Sequence, residues 1–383
     1  MTDESFHTPP SPSVLLLAGA ASPDRPSMNR YATELLAALR AAPGASRVLS
    51  LEQPLERRYL SRMVDHPQAQ RIDSAWFRYV AYPRSLRGRE AGVYHILDHA
   101  YAHLIRSLRP DRTVVTCHDV IPLLAAEGVI PVRVPATVAY TFRARIGWLA
   151  RARRVIAISA ATRDTLERYT RVQADRIVVI PYGVNGAFRP LPDAAGPRRA
   201  AGIHAGARVL LHVSTQGRYK NTPVLLRAFA ELRARIADAV LVRLGAPFYP
   251  DEAALAANLG IADAIRYVGV THDDGALAEW YNAADVLVFP SLWEGFGWPP
   301  LEAMACGTPV VASRIPAIIE VVGDAGLLVS AEDPSAVAQA TRRVLTDPAL
   351  AESLRAKGLE RARAFTWARA AEQTLAVYDA VVA

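Results

Sequence analysis

Two glutamates with seven residues between them mark a candidate site in the second half of the chain. Glu294 and Glu302 follow the apolar run Val286–Phe289, and Gly295-Phe296-Gly297 and two prolines lie between them. Glycines before a helix let backbone N–H groups approach an anion, and the helix dipole favours negative charge there. Glu302, in the first turn of that predicted helix, is suited to accept hydrogen bonds from ribose hydroxyls. This pattern indicates a site for a phosphorylated nucleotide.

A second polar loop carries cations. It follows the apolar run 209–213 and contains Thr215, Arg218 and Lys220, and Thr222-Pro223 then predicts the start of a helix. Lysine is a compact charge suited to a diphosphate, and arginine presents a fork of donors. An ordinary exposed loop is the alternative interpretation, but the neighbouring glutamate motif favours an anion site.

Polar residues also follow a buried run in the first half of the chain. Residues 113–116 are apolar or β-branched, and Cys117-His118-Asp119 come directly after them. Histidine titrates near neutral pH, and an adjacent carboxylate can orient its ring. The preceding segment 98–103 contains His99 and Tyr101, which we expect near His118 and Asp119.

Strand and helix patterns alternate along the whole chain. Uninterrupted apolar runs predict strands buried on both faces of parallel sheets. Because amphipathic helical stretches separate these runs twice over, we expect two doubly wound, Rossmann-like α/β domains. The predicted strands are 14–17, 47–51, 93–97, 113–116, 155–158 and 177–180, then 209–213, 240–244, 266–268, 286–289, 309–312 and 326–329.

A segment rich in glycine and proline, residues 185–206, separates the two series of strands. We therefore predict an N-terminal domain at 1–190 and a C-terminal domain at 205–366. The last helix, 367–383, comes after the second sheet and is assigned to the first domain. Open parallel sheets bind ligands beyond the carboxyl ends of their strands, so two of them facing each other form a cleft.

Composition excludes several classes of protein. The 383 residues are 51% hydrophobic and 21% charged, which is globular and not disordered, collagenous or coiled-coil. Two cysteines, Cys117 and Cys306, are too few for a disulfide framework or a thiolate zinc site. The polar start, residues 1–12, and the lack of a long apolar run lead us to expect a cytoplasmic protein.

Charge is unevenly distributed. Residues 1–200 hold 28 arginines and 17 acids, whereas the remainder holds 16 basic and 20 acidic residues. The stretch from Arg133 to Arg154 has six arginines, no acid and interleaved apolar residues. Such a segment is suited to a peripheral contact with the inner face of a membrane, and equally to a solvated helix face. Nucleic acid as a partner would rest on charge alone and is not expected.

The second half of the chain resembles the retaining glycosyltransferases of family 4, which have the GT-B fold. The resemblance rests on the Glu294–Glu302 pair, on residues 306–311 (CGTPVV), on residues 318–322 (IIEVV) and on residues 365–367 (FTW). It implies two Rossmann-like domains facing across a cleft, with a C-terminal helix that crosses back to the first domain. The N-terminal domain would then lie on the acceptor side, and the C-terminal domain would bind the nucleotide sugar.

The resemblance also implies roles for individual residues. Lys220 binds the donor diphosphate, Glu302 binds the ribose, and Glu294 contacts the transferred sugar and the positive charge that develops on it. His118 lies near the donor sugar, so the implied catalytic set is Glu294, His118 and Lys220. His118, Asp119, His99 and Tyr101 are placed on the acceptor side. The remaining donor-binding residues that it implies are Thr215, Arg218, Thr271, Gly295, Phe296, Gly297 and Leu301.

Two departures from the family pattern affect the donor side. Thr215 stands where many members have an arginine, and Arg218 is expected to supply the missing charge. Residues 26–31 (PSMNRY) replace the glycine-glycine loop of the first domain. Close approach of that backbone to a phosphate is therefore not expected, and the side chain of Asn29 or Ser27 is expected to contact the donor instead.

The expected activity is transfer of a sugar, a hexose such as mannose or glucose, from a nucleoside-diphosphate sugar to a glycan or a lipid-linked acceptor. The resemblance implies retention of anomeric configuration. No Asp-x-Asp motif is evident, so no metal and no cofactor beyond the donor are expected. A GT-B nucleotide-sugar epimerase and a non-catalytic nucleotide-sugar-binding subunit are the alternatives. A dehydrogenase is disfavoured because no G-x-G-x-x-G follows a strand.

Overall fold

The computed structural model describes residues 13–20, 26–43, 49–54, 61, 66–271 and 273–383. These residues form two six-stranded, wholly parallel sheets with helices between the strands. All twelve strands predicted from the apolar runs are present, with ends that differ from the prediction by two residues at most. The start of the predicted strand 47–51 lies outside the described residues. The two doubly wound α/β units are thereby confirmed.

The first sheet has the strand order β2-β1-β3-β4-β5-β6. This is the flavodoxin-like order, in which the direction of winding reverses between β1 and β3. Its strands are β1 (Val14–Leu17), β2 (Leu49–Glu52), β3 (Val93–Ile96), β4 (Thr113–Cys117), β5 (Arg154–Ala157) and β6 (Ile177–Val179).

The second sheet has the order β12-β11-β10-β7-β8-β9, the order of dinucleotide-binding domains. Winding reverses between β7 and β10, which are hydrogen-bonded neighbours. The strands are β7 (Arg208–Ser214), β8 (Ala239–Gly245), β9 (Ile265–Gly269), β10 (Val286–Phe289), β11 (Val310–Ser313) and β12 (Leu327–Val329).

Helices cover both faces of each sheet. Several have the start signals read from the sequence, such as Pro223 in the first turn of one helix and Pro299 and Pro300 in another. The α-helices of the described residues are α1 (Pro26–Ala41), α2 (Pro67–Trp76), α3 (Tyr82–Ser85), α4 (Ile121–Ala126), α5 (Ala136–Ile146), α6 (Ala160–Tyr169), α7 (Ala195–Ala200), α8 (Thr222–Arg233), α9 (Pro250–Asn258), α10 (Asp274–Ala283), α11 (Trp298–Ala305), α12 (Pro316–Val322), α13 (Pro334–Thr346), α14 (Pro348–Ala362) and α15 (Trp367–Val382).

The C-terminal helix returns to the first domain, as the resemblance implied. α15 packs against α1 and β3. The hydroxyl of Tyr378 on α15 lies 2.6 Å from Nδ1 of the buried His95 on β3. The chain crosses between the domains at two adjacent places, because Val184 N–H donates to the Phe365 carbonyl at 3.0 Å. One apolar core therefore continues from the first sheet through α15 into the second domain.

The basic segment predicted to meet a membrane forms α5 and the turns after it. Tyr140 on α5 is 75% exposed, and Val138, two residues earlier, is also exposed. Arg143 pairs with Glu127, while the guanidinium of Arg151 lies over the ring of Trp148 at 4.8 Å. No helix in the described part of the chain is long and apolar enough to cross a bilayer.

Candidate active site

The two sequence motifs meet where the second sheet reverses its winding. The cationic loop leaves the carboxyl end of β7, and the loop with Glu294 leaves the carboxyl end of β10. Because β7 and β10 pair directly, both loops lie at one switch point, which is where open α/β sheets bind ligands. A backbone hydrogen bond from Leu292 N–H to the Tyr219 carbonyl, 2.7 Å long, joins the loops.

Lys220 and Glu294 form a buried ion pair at this point. Nζ of Lys220 donates to Oε1 of Glu294 at 2.8 Å and to Oε2 at 3.1 Å. Only 8% of Lys220 is exposed, and its ammonium also lies 4.9 Å from the centre of the Tyr219 ring. The sequence placed both residues in the site, and the structure brings them into direct contact.

The environment keeps Lys220 charged despite its burial. Burial lowers the pKa of Lys220, but the negative charge of Glu294 and the nearby Tyr219 hydroxyl outweigh that effect, and the net pKa is raised. Asp119, from the first domain, adds to the attraction. The pair is therefore a protonated ammonium and a carboxylate in a largely water-free site, an arrangement in which each charge depends on the other.

Glu302 has a hydrogen bond on each carboxylate oxygen. Oε2 accepts from the Tyr281 hydroxyl at 2.7 Å, and Oε1 accepts from Nη1 of Arg30 at 2.5 Å. Only 2% of Glu302 is exposed. Tyr281 lies on α10 in the same domain, whereas Arg30 lies on α1 in the other domain. The predicted ribose carboxylate is thus in the cleft, and a residue that the sequence interpretation did not select holds it.

Aromatic rings frame the Arg30 guanidinium. Its carbon lies 4.8 Å from the Trp298 ring and 5.0 Å from the Phe188 ring, and Nε lies 3.6 Å from Oδ2 of Asp274. Arginine over an aromatic face gains cation–π attraction. The site at Glu302 is therefore built from both domains and from the crossing segment that contains Phe188.

The two domains also touch around Gly295. Its carbonyl accepts hydrogen bonds from the Ser159 hydroxyl at 2.6 Å and from the Thr162 hydroxyl at 3.3 Å. A Cβ atom at Gly295 would overlap the carbonyl oxygen of His118. Only glycine fits here, because the loop with Glu294 runs directly against the end of β4.

A second contact joins the two domains close to Gly295. The carboxylate of Glu320 on α12 accepts from the Ala160 N–H at 2.8 and 3.1 Å, at the first turn of α6. A carboxylate at a helix N-terminus is favoured by the free N–H groups and the dipole. Burial raises the pKa of Glu320, and these backbone hydrogen bonds partly oppose that shift.

The start of α11 has the backbone that the glycines predicted. Gly297 adopts a φ of 126°, a conformation that residues with a side chain rarely adopt, and α11 begins at the next residue. The side chains of Phe296 and Leu301 are buried in the core. Any contact of these two residues with a donor is therefore through their backbone.

The remaining predicted donor residues lie away from the Lys220–Glu294 pair or are already engaged. Arg218 makes an exposed two-pronged pair with Asp251, at 2.7 and 2.9 Å. Thr215 is exposed. The hydroxyl of Thr271 accepts from the Asp273 N–H at 3.2 Å, and the side-chain oxygen of Asn29 accepts from Gln53 at 3.0 Å.

His118 is buried, and both its ring nitrogens have partners. Nε2 lies 2.6 Å from the Leu97 carbonyl, which can only accept, so Nε2 carries the proton and Nδ1 accepts from the Tyr182 hydroxyl. Burial is the largest influence and lowers the pKa of His118 to about 4. The structure thus places a neutral histidine next to the contact that the two domains make at Gly295.

The other predicted acceptor-side residues support the end of the first sheet. Oδ1 of Asp119 accepts from the Ile121 N–H at 3.2 Å, and Nδ1 of His99 accepts from the His118 N–H at 3.3 Å. The hydroxyl of Tyr101 accepts from the Ala20 N–H at 3.2 Å, after the carboxyl end of β1. Asp119 is half-buried and His99 and Tyr101 are buried at the carboxyl edge of the sheet.

The sequence contained signals for two of the residues that our interpretation missed, Arg30 and Trp298. Arg30 stands next to Asn29, in the segment that replaces the glycine-glycine loop, and its charge could have marked it as a candidate. Trp298 stands directly after the Gly-Phe-Gly motif, whose glycines indicated a ligand site. Nothing in the sequence indicated that Tyr281 and Ser159 reach this site, because Tyr281 lies on a helix outside the motifs and Ser159 caps a helix of the other domain.

Solved structures of glycosyltransferases share this architecture. The sucrose-phosphate synthase of Thermosynechococcus elongatus superposes with a TM-score of 0.72 over 96% of this chain and 99% of its own, at 24% identity. The Anabaena protein HepE, solved with UDP-glucose, gives 0.70 over 96% and 100%, at 18% identity. At these identities the likeness shows the fold alone, and the fold of this chain is GT-B.

Family models match both domains. Residues 28–188 match the model described as Glycosyltransferase Family 4, and residues 207–347 match the model described as Glycosyl transferases group 1. The first match spans most of the first sheet, and the second spans the whole of the second sheet. Together with the fold, they support a glycosyltransferase of the family 4 type.

Curated relatives include D-inositol 3-phosphate glycosyltransferases. The protein of that name from Actinosynnema mirum is 37% identical over 246 residues, which are 60% of this chain and 58% of the relative. The one from Thermobispora bispora is 38% identical over 232 residues, 56% of this chain and 53% of the relative. The match thus spans little more than half the length of these relatives.

Proposed function

We propose that this protein transfers a sugar, a hexose such as glucose or mannose, from a nucleoside-diphosphate sugar to an acceptor with retention of configuration. The observation that carries the proposal is the buried Lys220–Glu294 pair beside Glu302, around the β7–β10 switch point. The ammonium of Lys220 suits the diphosphate, and the carboxylate of Glu294 suits the sugar. Glu302, at the start of a helix, suits the ribose. The similarity to family 4 glycosyltransferases supports the same assignment.

On the donor side, Lys220 holds the diphosphate. A phosphate oxygen replaces Glu294 as a partner of the ammonium, and the N-terminus of α11 adds partial positive charge. This positive environment stabilises the departing nucleoside diphosphate in a water-poor cleft without a metal. Glu302 holds the ribose, and Thr271 with the exposed Val270 at the end of β9 lies along the base.

The chemical step breaks the bond between the anomeric carbon and the phosphate oxygen. The acceptor hydroxyl attacks from the face that the leaving group departs from, its proton passes to the departing phosphate, and a new glycosidic bond forms with retention. Glu294 stabilises the positive charge that develops on the sugar. Since both nitrogens of His118 are engaged and its pKa is lowered to about 4, His118 supports the loop at Gly295 and is not the proton acceptor.

The acceptor is a glycan or a lipid-linked saccharide in this proposal, and α5 provides a peripheral contact with an anionic membrane. Exposed Tyr140 and Val138 together with arginines support that contact. The names of the curated relatives make a phosphorylated polyol a further acceptor to test.

The test begins with thermal shifts of the purified protein against UDP, GDP, ADP and their sugar conjugates, because a ligand of the folded state raises the melting temperature. The best donor is then incubated with lipid-linked saccharides, sugar phosphates and inositol phosphates, with and without EDTA, and the anomeric configuration of the product is read by NMR. Turnover without an acceptor would indicate an epimerase. Donor binding without transfer to any acceptor or hydrolysis would indicate a binding subunit.

A further inference from the structure

Arg30 reaches from the first domain to Glu302 in the candidate donor site. It is the fifth residue of α1, and its side chain is only 17% exposed because Trp298 and Phe188 enclose it. Among the described residues, its hydrogen bond runs from Nη1 to Oε1 of Glu302 at 2.5 Å. The contact joins residues that are 272 positions apart in the chain and lie on opposite sides of the cleft.

Two of the three guanidinium nitrogens are buried without a hydrogen-bond partner. Nε and Nη2 of Arg30 make no hydrogen bond within the described residues, and the carboxylate of Asp274 is beyond hydrogen-bond distance at 3.6 Å from Nε. Buried donors without partners cost free energy, and charged ones cost more. The guanidinium therefore has two donors available for an acceptor that enters the cleft.

A ribose that enters the cleft competes with Arg30 for Glu302 while this contact persists. Both its oxygens are engaged and the residue is almost completely buried. Tyr281 is fixed within the same domain, whereas Arg30 belongs to the opposite wall of the cleft. Opening of the cleft thus separates Arg30 from Glu302 and leaves Tyr281 in place.

We propose that Arg30 is a donor-binding residue that exchanges partners: it neutralises Glu302 in the empty cleft and binds the donor diphosphate when the ribose occupies Glu302. This inference rests on the proposed function. Ribose and diphosphate are covalently adjacent in every nucleoside-diphosphate sugar, so a guanidinium at the ribose carboxylate is within reach of the phosphates. An arginine fork is suited to two phosphate oxygens at once.

The exchange of partners by Arg30 also accounts for the two departures from the family pattern on the donor side. The first domain has no glycine loop to bring its backbone to a phosphate, and Thr215 carries no charge. Arg218 is turned towards Asp251 on the surface. Arg30 supplies from the opposite domain the cation that both places lack.

Partner exchange predicts opposite effects on two ligands. A nucleoside has only the ribose and must compete with Arg30 for Glu302, so loss of Arg30 increases its affinity several-fold. A nucleoside diphosphate gains the guanidinium as a partner, so loss of Arg30 lowers its affinity about tenfold or more.

The experiment compares the full-length wild type with Arg30→Met and Arg30→Lys. Calorimetry measures UDP, GDP and ADP, and ligand-observed NMR measures uridine, guanosine and adenosine. Arg198→Met is the matched control, because Arg198 is similarly enclosed and pairs with Asp285 at 3.0 Å outside the cleft. Arg30→Lys keeps the charge and is expected to restore part of the diphosphate affinity.

The outcomes separate this inference from the proposed function. Tighter nucleoside binding with weaker diphosphate binding in Arg30→Met supports the exchange. Unchanged affinities, or a shift of both ligands in the same direction, overturn it. If the wild type binds no nucleoside diphosphate, the proposed function fails and the inference fails with it.

Discussion

Nζ of Lys220 lies 2.8 Å from Oε1 of Glu294, and this ion pair joins two loops that leave neighbouring strands of one sheet. Both side chains are about nine-tenths buried. A buried ion pair that loses one partner leaves an uncompensated charge, which is strongly destabilising. A donor diphosphate can therefore take over the ammonium only if the sugar or the charge developing on it compensates Glu294.

Lys220→Met is expected to weaken binding of the nucleoside diphosphate about 10- to 100-fold, because hydrogen bonds to charged groups contribute about 1.5–3 kcal/mol. Glu294→Gln keeps the shape of the side chain and removes its charge. It is expected to lower kcat by at least about tenfold with little change in affinity for the diphosphate. Calorimetry and a transfer assay measure the two quantities.

Lys357→Met is the control for Lys220→Met. Lys357 is the other lysine of the chain and pairs with the exposed Asp324 at 2.8 Å, so its loss should change neither quantity. Wild-type affinity in Lys220→Met would contradict the site. Equal losses of affinity in Lys220→Met and Glu294→Gln would show that the pair is only structural.

Much of this site could be predicted because it depends on local sequence. Lys220 and Glu294 each follow an apolar strand, and parallel strands present their carboxyl ends at one edge. The direct pairing of β7 with β10 was not visible in the sequence, because it depends on the order of strands in the sheet. The contact between Lys220 and Glu294 follows from that order.

The contacts between domains could not be predicted. The pair Arg30–Glu302 depends on how two separately folded sheets face each other, and no local pattern encodes that relation. Arg218 illustrates the same limit within one domain. Its charge indicated a phosphate contact, but Asp251, 33 residues further along the chain, competes for the guanidinium.

Gly295→Ala is expected to impair closure of the cleft, because the added Cβ would overlap the backbone carbonyl of His118. The domains can relieve that overlap by separating, so the melting temperature should change little. Transfer needs both walls of the cleft, so kcat should fall at least about tenfold, as happens when positioning is disturbed. Diphosphate affinity should fall no further than in Arg30→Met, since Lys220 and Glu302 lie within the second domain and only the contact from the first domain is lost.

Gly147→Ala is the matched control for this substitution. A Cβ at Gly147 meets no atom within 4 Å, and its φ of −58° suits alanine. Small-angle X-ray scattering would report the separation of the domains directly. Wild-type kcat in Gly295→Ala would show that the close contact between Gly295 and His118 is not needed for transfer.

Buried histidines are expected to make the protein sensitive to mild acid. Burial, the first cause in each case, lowers the pKa of His95 to about 3 and those of His103 and His118 to about 4. Their pKa in the unfolded chain is about 6.5. Between these values the unfolded chain binds more protons, so the free energy of unfolding falls as the pH drops below about 6.5.

Each histidine contributes up to about 1.4 kcal/mol per pH unit to that slope. Urea unfolding at pH 7.5, 6.5, 5.5 and 5.0 measures it. His103→Gln, at a position away from the Lys220–Glu294 pair, should flatten the slope by about one proton. Equal stability at pH 7.5 and 5.0 in the wild type would contradict burial of these histidines in the neutral form.

The exposed face of α5 is expected to bind anionic membranes. Tyr140 offers an amphipathic ring for the interface, and each arginine near an anionic surface contributes about 1 kcal/mol. Sedimentation with phosphatidylglycerol–phosphatidylcholine vesicles should show binding that weakens in 0.5 M salt, and little binding to pure phosphatidylcholine.

Tyr140→Ser and Val138→Ser should each lower the bound fraction. Val382→Ser is the matched control, because Val138 is 40% and Val382 41% exposed. Equal binding of all three variants would indicate that α5 is a solvated face.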